Sequence, residues 1–481
     1  MVKCKNSGKT GHEQGKIGGK IGDQNRDRNT EAQRRTTITP ETKYGECSER
    51  LTAFGGLLAL VKFLDLIRFE QAFGEHYVHS NRTPKLGGYR MVLGMLMLLF
   101  IGFQRLGHFA YVRTDAMVCG ILRVRVLPAV STFWRYLISI GIIQSQSLVR
   151  LGGVLRRRVW ELCEYRPQRV TVNIDTTVAT VYGAIEGSRK GYNPKHRGKN
   201  GLRPVLCFLA ETREYLCGTQ RRGETISGKE VAHQIRQFRG LLPECVHQVR
   251  VRGDGELIGW NSVQACLDEG FTFGNKRCNP SFPDDGWYRH GDYAYNECVY
   301  QPMGWERPCR FVVMRIREDQ RGDRQLKLLE NYLYRVFATN EKGRPHKVVD
   351  DYDQRADVEN LIGEAQREGV LAIPSKRFQA HHAFFQIVML AYNLWRWMKL
   401  LASHVQQQAQ AGRVVEPSKQ IAIPDHTLRI ARLKMLFVAA KIRSHGNCDE
   451  VRYSIHEQRA AGLIGFLRYL DRRRKEVRVA A

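Results

Sequence analysis

The spacing of apolar residues changes once along this chain, and that change limits the fold more than any other feature. Over residues 44–165 the spacing is helical: Leu57, Leu58, Val61, Leu64 and Ile67 recur every three or four positions, and residues 91–103 are a continuous apolar run. From Val170 the period becomes two. Val170, Val172 and Ile174 alternate with Thr171, Asn173 and Asp175, which predicts a half-buried strand whose more polar face ends in a carboxylate. Residues 247–254 alternate in the same way, Val249 and Val251 against Arg250 and Arg252, and residues 229–242 between them return to helical spacing. Strands interspersed with helices predict a mixed α/β fold around one mostly buried sheet.

Six segments follow from this reading. Residues 1–43 carry ten basic side chains against five acidic ones and almost no large apolar residue, which predicts a flexible basic arm. Residues 44–165 predict an all-helical region. Near its end Ser131 or Thr132 is a candidate N-cap and Gly141 a stop. That helix fits either the second helix of a helix-turn-helix, placing Arg135 on DNA, or a bundle packed through Trp134 and Leu137. Residues 166–270 predict the first part of the sheet-based core. Residues 271–340, rich in aromatics, Gly and Pro, predict a β-rich insertion with strands near 311–314 and 332–337. Residues 341–402 predict helices completing the core, and 403–481 a basic helical C-terminal region ending in Arg472-Arg473-Arg474-Lys475.

Charge narrows the partners. Lys plus Arg number 76 against 48 for Asp plus Glu, a formal charge of +28, which points to a polyanion. The 91–103 run is too short to span a bilayer, and the apolar stretch 384–402 is interrupted by Gln386, Asn393, Arg396 and Lys399. A cytoplasmic protein with no membrane partner is therefore expected. The 12 cysteines include no pair at structural-zinc spacing; the nearest are Cys207 with Cys217 and Cys298 with Cys309. Reduced, core-filling thiols are expected.

The chemistry is carried by carboxylates. From Asp351 as N-cap to Gly369 as stop, the sequence predicts one helix. At about 100° per residue, Val358, Leu361, Ile362 and Ala365 form its core stripe, and Tyr352, Arg355 and Glu359 share one shoulder. Asp357, Glu364 and Glu368 point to the other. Glu359 thus sits with a phenol and a guanidinium suited to phosphate, although on an isolated helix Arg355 and Glu359 would pair with each other. Asp175 and Asp254 each end an alternating strand, and Asp254-Gly255 is also an ordinary turn signal. Three carboxylates in a basic protein are a donor set for the divalent cations of phosphoryl transfer. Residues 186–203 add Arg189, Lys190, Lys195, Arg197 and Lys199 around Tyr192 and His196, either a loop along a phosphate backbone or a solvated one.

Tyr352, Arg355 and Glu359 match the first three positions of the signature Tyr, two residues, Arg, three residues, Glu, six residues, Lys; Gln366 holds the fourth, beside Arg367. On these residues the chain resembles insertion-sequence transposases of the DDE type. Over about 51–397 it is similar to insertion-sequence family 1380, through Phe54-Gly55-Gly56-Leu57, Asn173-Ile174-Asp175-Thr176-Thr177-Val178, Val181-Tyr182-Gly183, Glu186-Gly187, Lys190-Gly191-Tyr192-Asn193, Arg252-Gly253-Asp254-Gly255 and Tyr392-Asn393-Leu394. The resemblance implies a ribonuclease-H-like catalytic core with a β-rich insertion, preceded by a helical DNA-binding region. It implies that Asp175, Asp254 and Glu359 hold Mg2+, which Mn2+ can replace, and that Trp305, or its neighbour Trp287, holds a flipped base. The implied activity is cut-and-paste transposition: cleavage at terminal inverted repeats, then joining to target DNA, by a dimer in a synaptic complex on the bacterial nucleoid. A catalytically silent DNA-binding derivative and a nuclease of the same fold that cuts without joining remain as alternatives.

Overall fold

The computed structural model describes residues 38–79, 84–191, 193, 196–224, 226, 228–257, 259–277, 285–317, 332–411, 423, 426–445 and 448–479. The chain divides into a unit ending at Glu49 and a larger one beginning at Arg50. In the first, a turn at residues 39–42 is closed by the Thr42 N–H on the Thr39 carbonyl at 3.0 Å. Most of the basic arm expected over 1–43 lies outside the described residues.

The larger unit opens with helices α1 (Leu57–Leu66), α2 (Phe69–His76), α3 (Gly88–Phe100), α4 (Ala116–Leu122), α5 (Val130–Ser139) and α6 (Ile142–Leu162). Every residue of α3 from Met91 to Phe100 is buried, so this apolar run is a core helix. Among the described residues, no single helix is long and apolar enough to cross a membrane. Helix α5 departs from expectation at both ends. It starts after Ala129, which offers no side-chain cap, and it stops at Ser139, before Gly141.

A nine-stranded sheet follows: β1 (Arg169–Thr176), β2 (Val205–Leu209), β3 (Tyr215–Thr219), β4 (Gln248–Gly253), β5 (Thr272–Arg277), β6 (Tyr288–His290), β7 (Tyr293–Tyr300), β8 (Cys309–Arg317) and β9 (Tyr332–Thr339). Its spatial order is β6-β7-β8-β9-β5-β4-β1-β2-β3. The β1–β4 and β4–β5 pairs are parallel and the others antiparallel. Parallel neighbours need long crossovers, supplied by α7 (Gly228–Leu241) before β4 and α8 (Trp260–Asp268) before β5. The aromatic-rich segment 271–340 continues this same sheet, because its first strand β5 pairs with β4 and its last, β9, pairs with β5.

Alternation predicts that β1 buries one face, but both are covered. Val170, Val172 and Ile174 share a core with Ile235 and Phe238 of α7 and Val263 of α8. Thr171 and Asn173, on the other face, are also buried. There Leu206 and Phe208, the register partners of Asp175 and Asn173, join a second core with helices that come later in the chain. Those are α10 (Asp357–Ala365), which contributes Val358 and Leu361, and α11 (Phe378–Gln410); the preceding helix α9 (Pro345–Asp353) packs Val348, Val349 and Tyr352 in a separate cluster with Val312 and Phe337. A strand can therefore carry polar residues on a face that a distant part of the chain will cover, and local pattern does not reveal this.

The C-terminal region is not wholly helical. A hairpin of Ala440–His445 and Cys448–Tyr453 takes Leu51–Thr52 as its third strand. The last helix, α12 (Gln458–Val479), returns to α1, where Arg474 pairs with Asp65 at 2.5 Å and Lys62 with Asp471 at 2.5 Å. Within the terminal basic run, Arg473 donates to the Leu162 carbonyl at 3.2 Å, so part of it is engaged inside the fold.

One buried network joins these layers. Glu214, which precedes β3, accepts from Arg156 Nε and Trp397 Nε1 on one oxygen and from Trp160 Nε1 on the other, each at 2.7 Å. Arg156 also donates to the carbonyls of Leu241 at 2.9 Å and Tyr215 at 2.8 Å. Helix α6, the sheet, the end of α7 and α11 thus meet at one ion pair, whose side chains are 0% and 1% exposed. Removing one partner strands the other charge, so Glu214→Ala should cost about 3–5 kcal/mol in urea denaturation. A cost under about 1 kcal/mol would show that the network does not hold the layers together.

Candidate active site

The parallel register of β1 and β4 pairs Ile174 with Gly253, so Asp175 and Asp254 stand side by side one step further on. Asp175 Oδ1 accepts from the Thr176 N–H at 2.7 Å, and Asp254 Oδ1 from the Gly255 N–H at 2.8 Å. A single 3-10 turn, Gly255–Leu257, follows Asp254 directly, so the Asp-Gly turn signal and the strand-end carboxylate are the same feature. Burial pushes the Asp175 carboxyl above its ordinary range; the Arg355 guanidinium and the Thr176 N–H oppose this, and the charges of Asp254 and Glu359 add to it. The three candidate carboxylates therefore share one electrostatic neighbourhood.

The segment carrying Glu359 is broken rather than one helix. Helix α9 starts with Pro345, whose fixed φ suits the first turn, and ends at Asp353. A 3-10 turn, Gln354–Ala356, separates it from α10, and a wide turn, Gln366–Val370, follows with Gly369 at φ 114°. Asp351 is thus inside α9 and pairs with Arg250 at 3.1 Å; it is not a cap. The stripe of Val358, Leu361, Ile362 and Ala365 is buried. Each acid on the opposite shoulder has a structural partner: Asp357 with Arg213 at 3.0 Å, Glu364 with Arg396, and Glu368 with Arg432. Glu359 is exposed.

Arg355 does not pair with Glu359. Its Nη2 lies 3.0 Å from Asp175 Oδ2. Tyr352 is buried, with its hydroxyl donating to the Gly253 carbonyl at 3.4 Å and its ring against Phe337 at 4.9 Å. It braces the end of β4 instead of offering its hydroxyl outward. Gln366, in the signature's fourth place, donates from Nε2 to Thr177 Oγ1 at 2.6 Å. Thr177, two residues after Asp175, was not singled out from the sequence, because only the meeting of β1 with the α10 region gives it a role.

The remaining sequence candidates are spread more widely. Arg189 and Lys190 are exposed on a small sheet with Ala179–Thr180 and Asn200–Leu202, which begins just after β1; Arg189 lies 3.8 Å from Glu224. Arg197 and Lys199 are exposed, and Lys195 lies outside the described residues. Arg135 is exposed on α5, 3.4 Å from Ser131 Oγ. Residues 123–129 separate α4 from α5, a longer link than the three or four residues of a helix-turn-helix. Leu137 of α5 is buried, and Trp134 is 39% exposed. Trp305 must be corrected: it is 5% exposed, packed against Trp260 at 5.5 Å and Phe311 at 5.9 Å, so its ring is core and cannot hold a base in this conformation. Trp287 carries the Arg315 guanidinium 3.7 Å over its ring.

Among the described residues, no three His, Cys, Asp or Glu side chains are gathered closely enough to hold a metal ion. The donor chemistry nevertheless fits a hard divalent cation. Asp175 and Asp254 offer carboxylates at adjacent strand ends, and the half-buried Asp175 already faces a cationic group, Arg355.

Fold and site together define a mixed α/β protein with a carboxylate cluster where two parallel strands end. Residues 45–448 match the family model described as Transposase DDE domain group 1, and the chain belongs to that family. Membership assigns transposition as its class of activity. No curated protein matches the sequence. Among solved structures, it is similar to a piggyBac transposase synaptic complex with hairpin DNA, at 10% identity and a TM-score of 0.41, over 79% of this chain and 80% of that one.

The neighbours of Glu359 separate structural acids from the candidate one. Glu364→Gln and Glu368→Gln each break a buried pair and should lower stability by about 3–5 kcal/mol. Glu359→Gln should change it by no more than about 0.5 kcal/mol. Thermal denaturation of the three variants checks the division, and equal losses in all three would remove it.

Proposed function

We propose that this chain is a DNA transposase of the insertion-sequence type that cuts at the terminal inverted repeats of its element and joins the freed end to target DNA. Asp175, Asp254 and Glu359 are its catalytic carboxylates, on a ribonuclease-H-like core built from β1–β5. The observation that carries the reading is the β1–β4 register, which sets Asp175 beside Asp254, with Arg355 and the charge of Glu359 facing them. The signature resemblance and the likeness to insertion-sequence family 1380 support it, with Gln366 as the departure.

Mg2+ is the cofactor, with Mn2+ as a substitute; when bound it supplies activation of the attacking oxygen and stabilisation of the leaving one. The chain's own residues hold that site and the DNA. Tyr352 and Gln366 fix the ends of β4 and β1 through Gly253 and Thr177. Arg355 is suited to grip a phosphate beside the carboxylates, and Arg135, Arg189, Lys190, Lys195, Arg197 and Lys199 to neutralise the backbone around it. In cleavage, water attacks the terminal phosphodiester and releases a 3′ hydroxyl. In joining, that hydroxyl attacks a target phosphodiester and displaces its 3′ oxygen. No covalent link to the protein forms. Two element ends must be held together, so the DNA-bound form is at least a dimer.

Purified protein, Mg2+ and labelled DNA carrying the sequences that flank its gene should give cleaved and joined products. Asp175→Asn and Glu359→Gln should bind the same DNA and lose both products. Undiminished products from Asp175→Asn would overturn the assignment; cleavage without joining would favour the nuclease reading, and binding without cleavage by the unaltered protein the silent one.

A further inference from the structure

Arg156 and Arg355 each meet a carboxylate of the sheet region, Glu214 and Asp175, and they do so differently. Arg156 is fully engaged: Nε, Nη1 and Nη2 all have acceptors within 2.9 Å. Arg355 is engaged in part. Its Nη2 reaches Asp175 Oδ2 at 3.0 Å and the Ile174 carbonyl at 3.5 Å, while its Nε is buried without an acceptor. A guanidinium presents five N–H donors in a fixed fork, so much of this one goes unused. Its backbone is also tightened: Arg355 lies in the 3-10 turn Gln354–Ala356 that joins α9 to α10.

Asp175 is 18% exposed and sits among other negative charges, a setting in which its ionised form is stabilised by a facing cation. Arg355 fills that role in the free chain and takes the space beside the carboxylate that a divalent ion needs. We propose that Arg355 is a stand-in cation: it keeps the metal site closed in the DNA-free protein, and capture of its guanidinium by a DNA phosphate opens the site. The inference rests on the metal-site reading of Asp175. It follows from competition between like charges for one carboxylate, together with the better match of the guanidinium fork to a phosphate. Because linkage is reciprocal, metal and DNA then bind cooperatively.

The test is Mn2+ uptake by the full chain, read from the free-ion electron paramagnetic resonance signal, with and without a saturating blunt duplex of random sequence whose own Mn2+ uptake is subtracted. For the unaltered protein, the duplex should tighten Mn2+ binding by roughly tenfold, within the usual range of coupled sites. Arg355→Gln should bind Mn2+ about tenfold tighter than the unaltered protein without DNA, and the duplex should add little. Melting curves confirm that the variant is folded. Should it not be, Arg355→Lys serves, since an ammonium cannot reproduce the fork and should give Mn2+ affinity severalfold above the unaltered protein. Mn2+ affinity in the folded variant equal to that of the unaltered protein, or coupling to DNA that survives the substitution, overturns the inference and leaves the metal site standing. Mn2+ uptake that Asp175→Asn does not reduce overturns both.

Discussion

Parallel pairing of β1 with β4 is the constraint on which the site depends. Parallel strands cannot be joined by a tight turn, so the chain between residues 176 and 248 must leave the sheet, form β2 and β3 on the far side of β1, and return through α7. The return lays two strands side by side inside the sheet, pointing the same way. Their C-terminal ends coincide, and residues far apart in sequence, Asp175 and Asp254, become neighbours. Placing the carboxylates at strand ends also spares them full burial, which an unpaired charge in mid-strand would not escape.

The two faces of the sheet divide the work. One is closed by α7 and α8 in an apolar core, and the other receives α10 and α11. Alignment of this second layer is set by buried ion pairs: Arg156 with Glu214, Glu364 with Arg396, and Glu368 with Arg432. These pairs hold helices from both ends of the sequence at a fixed distance from β1. Arg355 with Asp175 belongs to a different kind, since it leaves donor capacity unused at a break between helices.

Much of this was legible in the sequence where a local pattern reports a local cause. The period change near residue 166, the strands ending at Asp175 and Asp254, and the buried stripe of Val358, Leu361, Ile362 and Ala365 all follow from periodicity. Helix phase also set Glu359 apart from Glu364 and Glu368, and the structure supplies the reason: the latter two are occupied by arginines from distant segments. What failed depends on long-range contact. The break at Gln354–Ala356 places Arg355 on Asp175, a partner no helical wheel contains. Asn173 and Thr171 look solvent-facing because the helices that cover them come from a later part of the chain. For Trp305 the resemblance implies a base-holding role and the sequence also allows a core one; its partners Trp260 and Phe311, one of them from another part of the chain, make it core. The pairing of Leu51–Thr52 with Ala440–Lys441 joins opposite ends of the sequence and leaves no mark on either.

The central claim is that Asp175, Asp254 and Glu359 form one metal centre that exists in full only when DNA is bound. Anomalous diffraction from crystals of the protein–DNA complex grown with Mn2+ tests it most directly. The account predicts anomalous density among these three carboxylates, with the Arg355 guanidinium moved from Asp175 onto a phosphate. Density at other residues, or density at Asp175 with Arg355 still paired to it, would contradict the account.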